Sequence, residues 1–187
     1  IVLNADYRFL GRNQGPALNV GKKTIYPLKN FGVNLIGNLG SGTPFSKNTV
    51  AVPSVASGVN IVNQIQGTPN GARLPWNYRL DLRADKSFQF AVGGKNKGDG
   101  SPGKSRILDL NVYVQALNLL NVLNIRGVYR FTGLPDDDGF LASDSGIQFT
   151  QTRIDPVAFV DQYALRLQNP NNYTLPRRVR LGVMFNF

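Results

Sequence analysis

Apolar and polar residues alternate along five segments of the chain, with the period of two that is typical of β-strands. The last segment is the clearest, because from Leu175 to Phe187 the apolar side chains fall on one face and the polar side chains on the other. The same alternation predicts strands at residues 3–9, 31–35, 77–90 and 108–116. In this interpretation the fourth strand continues through residues 124–131 and is the longest. The fold is therefore expected to be all-β and antiparallel.

The connections between these strands alternate in length, and they comprise residues 11–27, 41–75, 91–105 and 132–176. Transmembrane β-barrels combine short periplasmic turns with long extracellular loops, so the alternation favours such a barrel, with Phe187 on the periplasmic side. In the last loop, Asp155 and Pro156 are typical of a helix start. The following apolar residues recur at helical spacing: Val157, Val160, Ala164 and Leu167. A short amphipathic helix that packs over the barrel mouth is predicted there.

The predicted polar faces carry acids and bases at close spacing. A soluble β-sandwich also alternates, but opposite charges at this spacing suit the polar lumen of a barrel whose apolar face meets lipid. Aromatic residues near the strand ends, such as Trp76 and Phe185, are typical of a membrane interface. Ten residues are candidates for lining the lumen: Arg79, Asp81, Arg83, Asp85, Asp109, Asn111, Tyr113, Gln115, Arg178 and Arg180.

The composition weighs against several function classes. The 187 residues include no Cys and no His, so disulfides are excluded and the commonest metal ligand and general base are missing. We therefore expect no enzyme activity. The formal charge of +10 admits a soluble, basic β-sandwich that binds nucleic acid, but the basic residues are dispersed and accompany no nucleic-acid motif. No nucleic-acid partner is expected.

The densest carboxylate cluster contains Asp136, Asp138 and Asp144, and such oxygen ligands are those that calcium prefers. Leu134 stands where an EF-hand loop needs its first Asp, so an Asp-rich turn that caps local backbone amides is the favoured alternative. No other cofactor is expected. Residues 93–104 are basic and Gly-rich but lack the residue order of a phosphate-binding loop, which predicts a solvated turn.

Three motifs, in this order along the chain, resemble the closing strands of Bacteroidetes TonB-dependent receptors. They are NLGSGTPF at residues 38–45, GARLPWNYRLDLR at residues 71–83 and LNLLN at residues 117–121. Two further stretches resemble more narrowly the Oar-like branch of that family, namely VYRFTGLPDDDG at residues 128–139 and NYTLPRRVRLG at residues 172–182. The resemblance covers nearly the whole chain.

This resemblance implies a roughly 22-stranded transmembrane barrel closed around an N-terminal plug. Residues 1–187 would then be the C-terminal part of the barrel and supply its last five strands, with the plug absent from them. The first residues, which look like the middle of a strand without a leader, are interpreted as the interior of a longer polypeptide. Phe187 resembles the terminal aromatic residue that the barrel-assembly machinery reads, and would serve as the assembly signal.

The function implied by the resemblance is that of a TonB-dependent transporter or receptor in the bacterial outer membrane, in which this segment forms barrel wall and extracellular loops. Its expected partners are outer-membrane lipid, the remainder of the barrel and its plug, TonB through the absent N-terminal region, the barrel-assembly machinery, and a surface lipoprotein or secreted protein. The alternative is an Oar-like structural, adhesion or protein-export barrel without nutrient uptake. The substrate is left open.

Overall fold

The chain is mostly antiparallel β-sheet, as the alternation predicts. The computed structural model describes residues 1–10, 15–21, 23–93 and 105–187. The strands in chain order are β1 (Val2–Arg8), β2 (Leu18–Val20), β3 (Lys23–Ile25), β4 (Phe31–Gly40), β5 (Pro44–Phe45), β6 (Ala72–Arg73), β7 (Asn77–Gly93), β8 (Ser105–Leu117) and β9 (Arg178–Asn186). The helices are α1 (Asp144–Gln151) and α2 (Pro156–Leu167), with a 3-10 turn at Pro170–Asn172. Within these ranges, no helix is both long and apolar enough to cross a membrane.

The main sheet contains the five predicted strands in the order β1, β4, β7, β8, β9. In the described part of the chain this sheet is open, with β1 and β9 at its edges. The pairs β1–β4, β7–β8 and β8–β9 are antiparallel and in continuous register, with Ala5 opposite Leu35, Ala84 opposite Val114, and Val114 in turn opposite Leu181. Apolar residues therefore meet apolar residues across each of these pairs.

Two compact units divide the chain. Unit 1 consists of Ile1–Asn38, Arg79–Asn121 and Arg177–Phe187, and it holds nearly all of the main sheet. Unit 2 consists of Leu39–Tyr78 and Val122–Pro176, and it holds both helices and the short β5–β6 pair. Each unit is thus assembled from segments that are separated along the chain.

The core of unit 2 is small and aromatic. Its buried apolar residues are Ala51, Phe140, Tyr163 and Leu167. The ring centroids of Phe140 and Tyr163 lie 5.6 Å apart, and those of Phe140 and Phe149 lie 6.0 Å apart. Aromatic pairs at such separations add attraction beyond the apolar area that they bury. These contacts join α1 and α2 through Phe140, and Ala51 belongs to the same buried cluster.

The predicted continuation of the fourth strand through residues 124–131 is wrong. β8 ends at Leu117, and the next residue, Asn118, has a φ of 54°, as does Asn121. Asn tolerates this left-handed conformation better than most residues, so the backbone leaves the sheet in a turn closed by the hydrogen bond from Asn121 N to Asn118 O, at 2.9 Å. Beyond the turn, Ile125 makes one isolated bridge to Tyr173.

The helix predicted in the last loop is confirmed at its start but not in its buried face. Asp155 is the N-cap of α2, and its carboxylate accepts a hydrogen bond from the Ala158 amide at 3.0 Å. The core side of α2, however, contains Tyr163 and Leu167, whereas Val157 is 72% exposed. Of the four residues that predicted the apolar face, Leu167 alone is buried, because the larger aromatic ring of Tyr163 sets the rotation of the helix.

Several smaller elements lie within the predicted connections. The β2–β3 pair lies within residues 11–27, and the β5–β6 pair lies within residues 41–75. Strands of two or three residues are too short to show a period of two, which is why the sequence does not predict them. Apart from Gly93, the turn predicted at residues 93–104 lies outside the described residues.

Candidate functional site

The ten predicted polar residues of β7, β8 and β9 share one face of the main sheet. Arg83 lies opposite Gln115 on β8, and Gln115 in turn lies opposite Arg180 on β9. Because side chains along a strand alternate between the two faces, this row fixes the side on which the other seven lie. We call the side that carries Arg83, Gln115 and Arg180 the polar face, and the opposite side the apolar face.

The two faces have the reverse of the exposure expected for a water-soluble sheet. On the apolar face, Leu181 is 73% exposed and Phe185 is 70% exposed, whereas Asp85 on the polar face is only 5% exposed. An antiparallel sheet in water normally packs its apolar side on a core and turns its polar side outward. Here, the Asp85 carboxylate is buried on the polar face, whereas large apolar side chains are exposed on the apolar face.

An ion-pair network crosses four strands on the polar face. The Arg8 guanidinium on β1 donates to Asp6 at 2.9 Å and to Asp85 on β7 at 3.2 Å. Asn111 on β8 also donates to Asp85, at 3.2 Å, and to Ser87 at 2.9 Å. The network therefore links β1, β7 and β8 across the intervening strand β4.

Gly32 on β4 makes this crossing feasible. A Cβ atom at this position would lie 2.9 Å from Arg8 Nη1 and 3.1 Å from Arg8 Cγ, so a larger residue would displace the Arg8 side chain. Beside the network is a cavity of about 190 Å³, whose polar lining includes Arg8, Asp85, Ser87, Gln89 and Asp109. The network and the cavity together form the acidic part of the polar face.

A stacked arrangement separates this acidic part from the arginines of the polar face. The Arg83 guanidinium carbon lies 4.2 Å from the centroid of the Tyr113 ring, which is within the range of a cation–π interaction. The same ring covers Gly182 on β9, where a Cβ atom would lie 2.3 Å from Tyr113 Cζ. Since a glycine leaves room at this point, Tyr113 lies flat across β9.

The predicted residues near the start of β7 are partly paired. Arg79 Nε donates to Asp81 Oδ1 at 2.7 Å, and the same oxygen accepts from the Asn118 amide at 2.8 Å. Asp81 thereby fixes the turn that follows β8. Arg178 lies opposite Leu117 and Arg180 opposite Gln115, which places both arginines at this end of β9. Phe187 follows the last residue of β9 and is fully exposed.

Unit 2 holds the three predicted calcium candidates but does not group them as a metal site. Asp138 is 2% exposed, and its carboxylate accepts from Tyr163 Oη at 2.6 Å, from the Ser54 amide at 2.9 Å and from the Phe140 amide at 3.0 Å. Asp144 is the first residue of α1. In the described ranges, no three His, Cys, Asp or Glu side chains are arranged to hold a metal ion.

The hydrogen bonds of Asp138 match the alternative of an Asp-rich turn that caps backbone amides, and Asp137 does likewise by accepting from the Gly139 amide at 2.8 Å. Burial raises the pKa of Tyr163 above its ordinary value of 10.0, and the hydrogen bond to Asp138 raises that pKa further. Burial also raises the pKa of Tyr129, with a smaller contribution from the charge of Asp138. Both phenols therefore stay protonated beside the carboxylate at neutral pH.

Some participants do not appear among the sequence candidates. Asp6 and Arg8 lie at polar positions of the first predicted strand, but the alternation gives no pairing partner for that strand. The contact of Arg8 with Asp85 depends on the order β1, β4, β7, which only the three-dimensional sheet supplies. Comparison with protein-family models, with curated proteins and with solved structures found no match to this chain.

Proposed function

We propose that this chain forms part of the wall of a transmembrane β-barrel in the bacterial outer membrane, with its apolar face toward lipid and its polar face toward the lumen. The observation that carries the proposal is the reversed exposure of the two faces. Leu181 and Phe185 are largely exposed, while Asp85 is buried. Lipid would cover the exposed apolar side chains, and a polar lumen accommodates the ion-pair network.

The open edges of the sheet set a requirement for this proposal. β1 and β9 are edge strands in the described part of the chain. The hydrocarbon core of a membrane provides no hydrogen-bond partners for an unpaired strand edge, so only a closed barrel satisfies the backbone there. Further strands of the same barrel must therefore pair with β1 and β9, and the resemblance described above implies a roughly 22-stranded barrel.

Within this class, we favour a TonB-dependent transporter or receptor of the Oar-like branch, on the strength of the sequence motifs. The long connections would be its extracellular loops, and Phe187 its assembly signal. The plug, TonB, the assembly machinery and a surface lipoprotein or secreted protein would be its partners. In this proposal the chain lines a passage and catalyses no reaction. An Oar-like structural, adhesion or protein-export barrel is the second candidate, because its wall would also have an apolar face toward lipid and a polar face toward the lumen.

Spin labels at two adjacent residues of β9 test the barrel. The sequence has no Cys, so Leu181→Cys and Arg180→Cys each introduce a single labelling site on opposite faces. In outer membranes, we expect the label at position 181 to be relaxed by dissolved oxygen and the label at position 180 by a water-soluble nickel chelate. Gln162→Cys, on the exposed side of α2, is the control for full access to water. Equal access of the nickel chelate to positions 180 and 181 would contradict the barrel.

Binding to TonB separates the two barrel candidates. The protein purified from outer membranes in detergent should bind the isolated periplasmic domain of TonB if it is an energy-coupled receptor. A protein that passes the spin-label test but shows no binding to TonB would support the structural, adhesion or export barrel. The two experiments therefore fail independently.

A further inference from the structure

Three buried oxygen atoms in the acidic part of the polar face have no hydrogen-bond partner among the described residues. They are Asp85 Oδ1, Asp109 Oδ1 and Asn111 Oδ1. A buried acceptor without a donor destabilises the folded protein, and a carboxylate oxygen does so more than a neutral one. All three atoms are acceptors, so what this site needs is a ligand that brings N–H or O–H donors or positive charge.

The clearest indication of a ligand in the acidic part of the polar face is the Asp85 carboxylate. Its side chain is 6% exposed, yet one of its two oxygens is unpartnered and the residue lines the 190 Å³ cavity. The other oxygen already binds the guanidinium of Arg8 and the amide of Asn111. The contact with Arg8 shows that this carboxylate accepts a cationic N–H donor within the polar face.

The register of the strands shows how far apart the acceptors lie. Asp109 is opposite Gln89 and Asn111 is opposite Ser87, while Asp85 is one row further along β7. Successive rows on one face are roughly 6.6–6.8 Å apart, because a strand rises about 3.3–3.4 Å per residue. Asp85, Ser87 and Gln89 all line the cavity, which therefore extends over three rows.

This spacing favours an elongated ligand over a single metal ion. Calcium binds oxygen at about 2.3–2.6 Å, so one ion cannot contact both Asp85 and Asp109 across two rows. The charge also indicates a cationic ligand, since two carboxylates (Asp85 and Asp109) and only one guanidinium (Arg8) line the cavity. An elongated dication with a donor at each end would reach both carboxylates.

We propose that the acidic part of the polar face binds a linear organic dication of the diamine class, with one ammonium group at Asp85 and the other at Asp109, the two carboxylates that line the cavity. The methylene chain between the ammonium groups would lie along the cavity beside Ser87 and Gln89. The site needs only the main sheet and not a transport function. That such a cation passes through the lumen would follow only if the barrel proposal above is also correct.

Calorimetric titration of the protein purified from outer membranes, at low ionic strength, tests the site. The probes are the diamines from ethane-1,2-diamine to octane-1,8-diamine, with butylamine as the monoamine control and calcium chloride as the metal control. We expect one site whose affinity passes through a maximum as the methylene chain lengthens. Butylamine should bind at least about tenfold more weakly than the best diamine, because it leaves one carboxylate without a donor.

Asp109→Asn is the deciding variant, because no ion pair among the described residues involves Asp109 and the amide has nearly the same shape. It should weaken diamine binding by at least about tenfold, whereas Asp161→Asn, on the exposed side of α2, should leave it unchanged. Absence of diamine binding, equal affinity in Asp109→Asn, or binding of calcium alone would each overturn the proposal. Asp85→Asn serves as a second variant, and its circular dichroism spectrum should match the parent before its affinity is compared.

Discussion

Removal of the Tyr163 hydroxyl should lower the free energy of local opening of α2. The hydrogen bond that the hydroxyl makes sets the size of this loss. Tyr163 and Asp138 are each 2% exposed, and Tyr163 Oη donates to Asp138 Oδ2 at 2.6 Å. A hydrogen bond to a charged group contributes about 1.5–3 kcal/mol. In Tyr163→Phe, Asp138 Oδ2 still accepts a hydrogen bond from the Ser54 amide at 2.9 Å, so this oxygen keeps one donor. We therefore expect a loss of about 1.5–3 kcal/mol and not the larger cost of an unpaired buried charge.

Hydrogen exchange of the α2 amides, followed by mass spectrometry, measures this loss locally. When closing is faster than exchange, the exchange rate reports the free energy of local opening, and each 1.36 kcal/mol changes it tenfold. Exchange in Tyr163→Phe should therefore be about 10–150 times faster than in the parent protein. The amides of the main sheet should exchange at the same rates as in the parent protein, because the substitution lies in unit 2.

Tyr129→Phe is the matched control. Its hydroxyl donates to a neutral acceptor at the end of the same helix, Leu167 O, at 3.0 Å, and the residue is only half-buried. A neutral hydrogen bond contributes about 0.5–1.5 kcal/mol, so exchange should accelerate by no more than about tenfold. Parent-like exchange in Tyr163→Phe, or a smaller effect there than in Tyr129→Phe, would refute the role assigned to the buried carboxylate.

Three further outcomes are expected. Because the pKa of Tyr163 is raised in the folded state, its contribution to the stability of unit 2 is complete below the ordinary pKa of 10.0 and is lost as the pH rises toward the folded value. The difference in tyrosinate absorbance between the parent and Tyr163→Phe reports the ionisation of Tyr163. This ionisation should occur at a higher pH than that of an ordinary tyrosine. Gly182→Ala should destabilise the main sheet by about 1–3 kcal/mol in chemical denaturation, since its Cβ would lie 2.3 Å from Tyr113 Cζ, and Tyr113→Ser should relieve the loss. Asn124→Asp should lower the stability of unit 2 by about 1–3 kcal/mol, because Asn124 Nδ2 donates to Tyr78 O at 2.9 Å and a carboxylate cannot donate this bond. The segment around Tyr78 should then become more sensitive to proteolysis. Unchanged proteolysis would contradict this assignment.

The strands could be predicted from the sequence because their information is local. A period of two follows from the geometry of one strand, and the polar rows of β7, β8 and β9 follow once neighbours pair in antiparallel register. The end of β8 could not be predicted in this way. The apolar residues Leu119 and Leu120 continue the composition of a strand, while the left-handed conformation of Asn118 stops its geometry.

The site was predictable to a smaller extent, because its contacts join distant segments. The alternation gave the polar positions of β7 and β8, but the ion pair between Arg8 and Asp85 joins residues 77 positions apart. The role of Asp138 in unit 2 was predicted only in part, because the capping of the nearby Phe140 amide is local whereas the bonds to Ser54 and Tyr163 are not. Its carboxylate looks like a surface ligand in an Asp-rich stretch, and only the positions of Ser54 and Tyr163 show that it lies inside a core.

The interleaving of the two units has a consequence for the order in which the chain folds. The bond between Ser54 and Asp138 closes a loop of 84 residues, and that loop contains the whole β7–β8 hairpin. Closing so long a loop costs entropy before any contact is gained, which slows folding. During synthesis, the segment around Ala51 therefore leaves the ribosome before the residues that complete its core. The β7–β8 hairpin is synthesised in between. A ribosome that stalls before Phe140 would leave this segment available to chaperones and proteases.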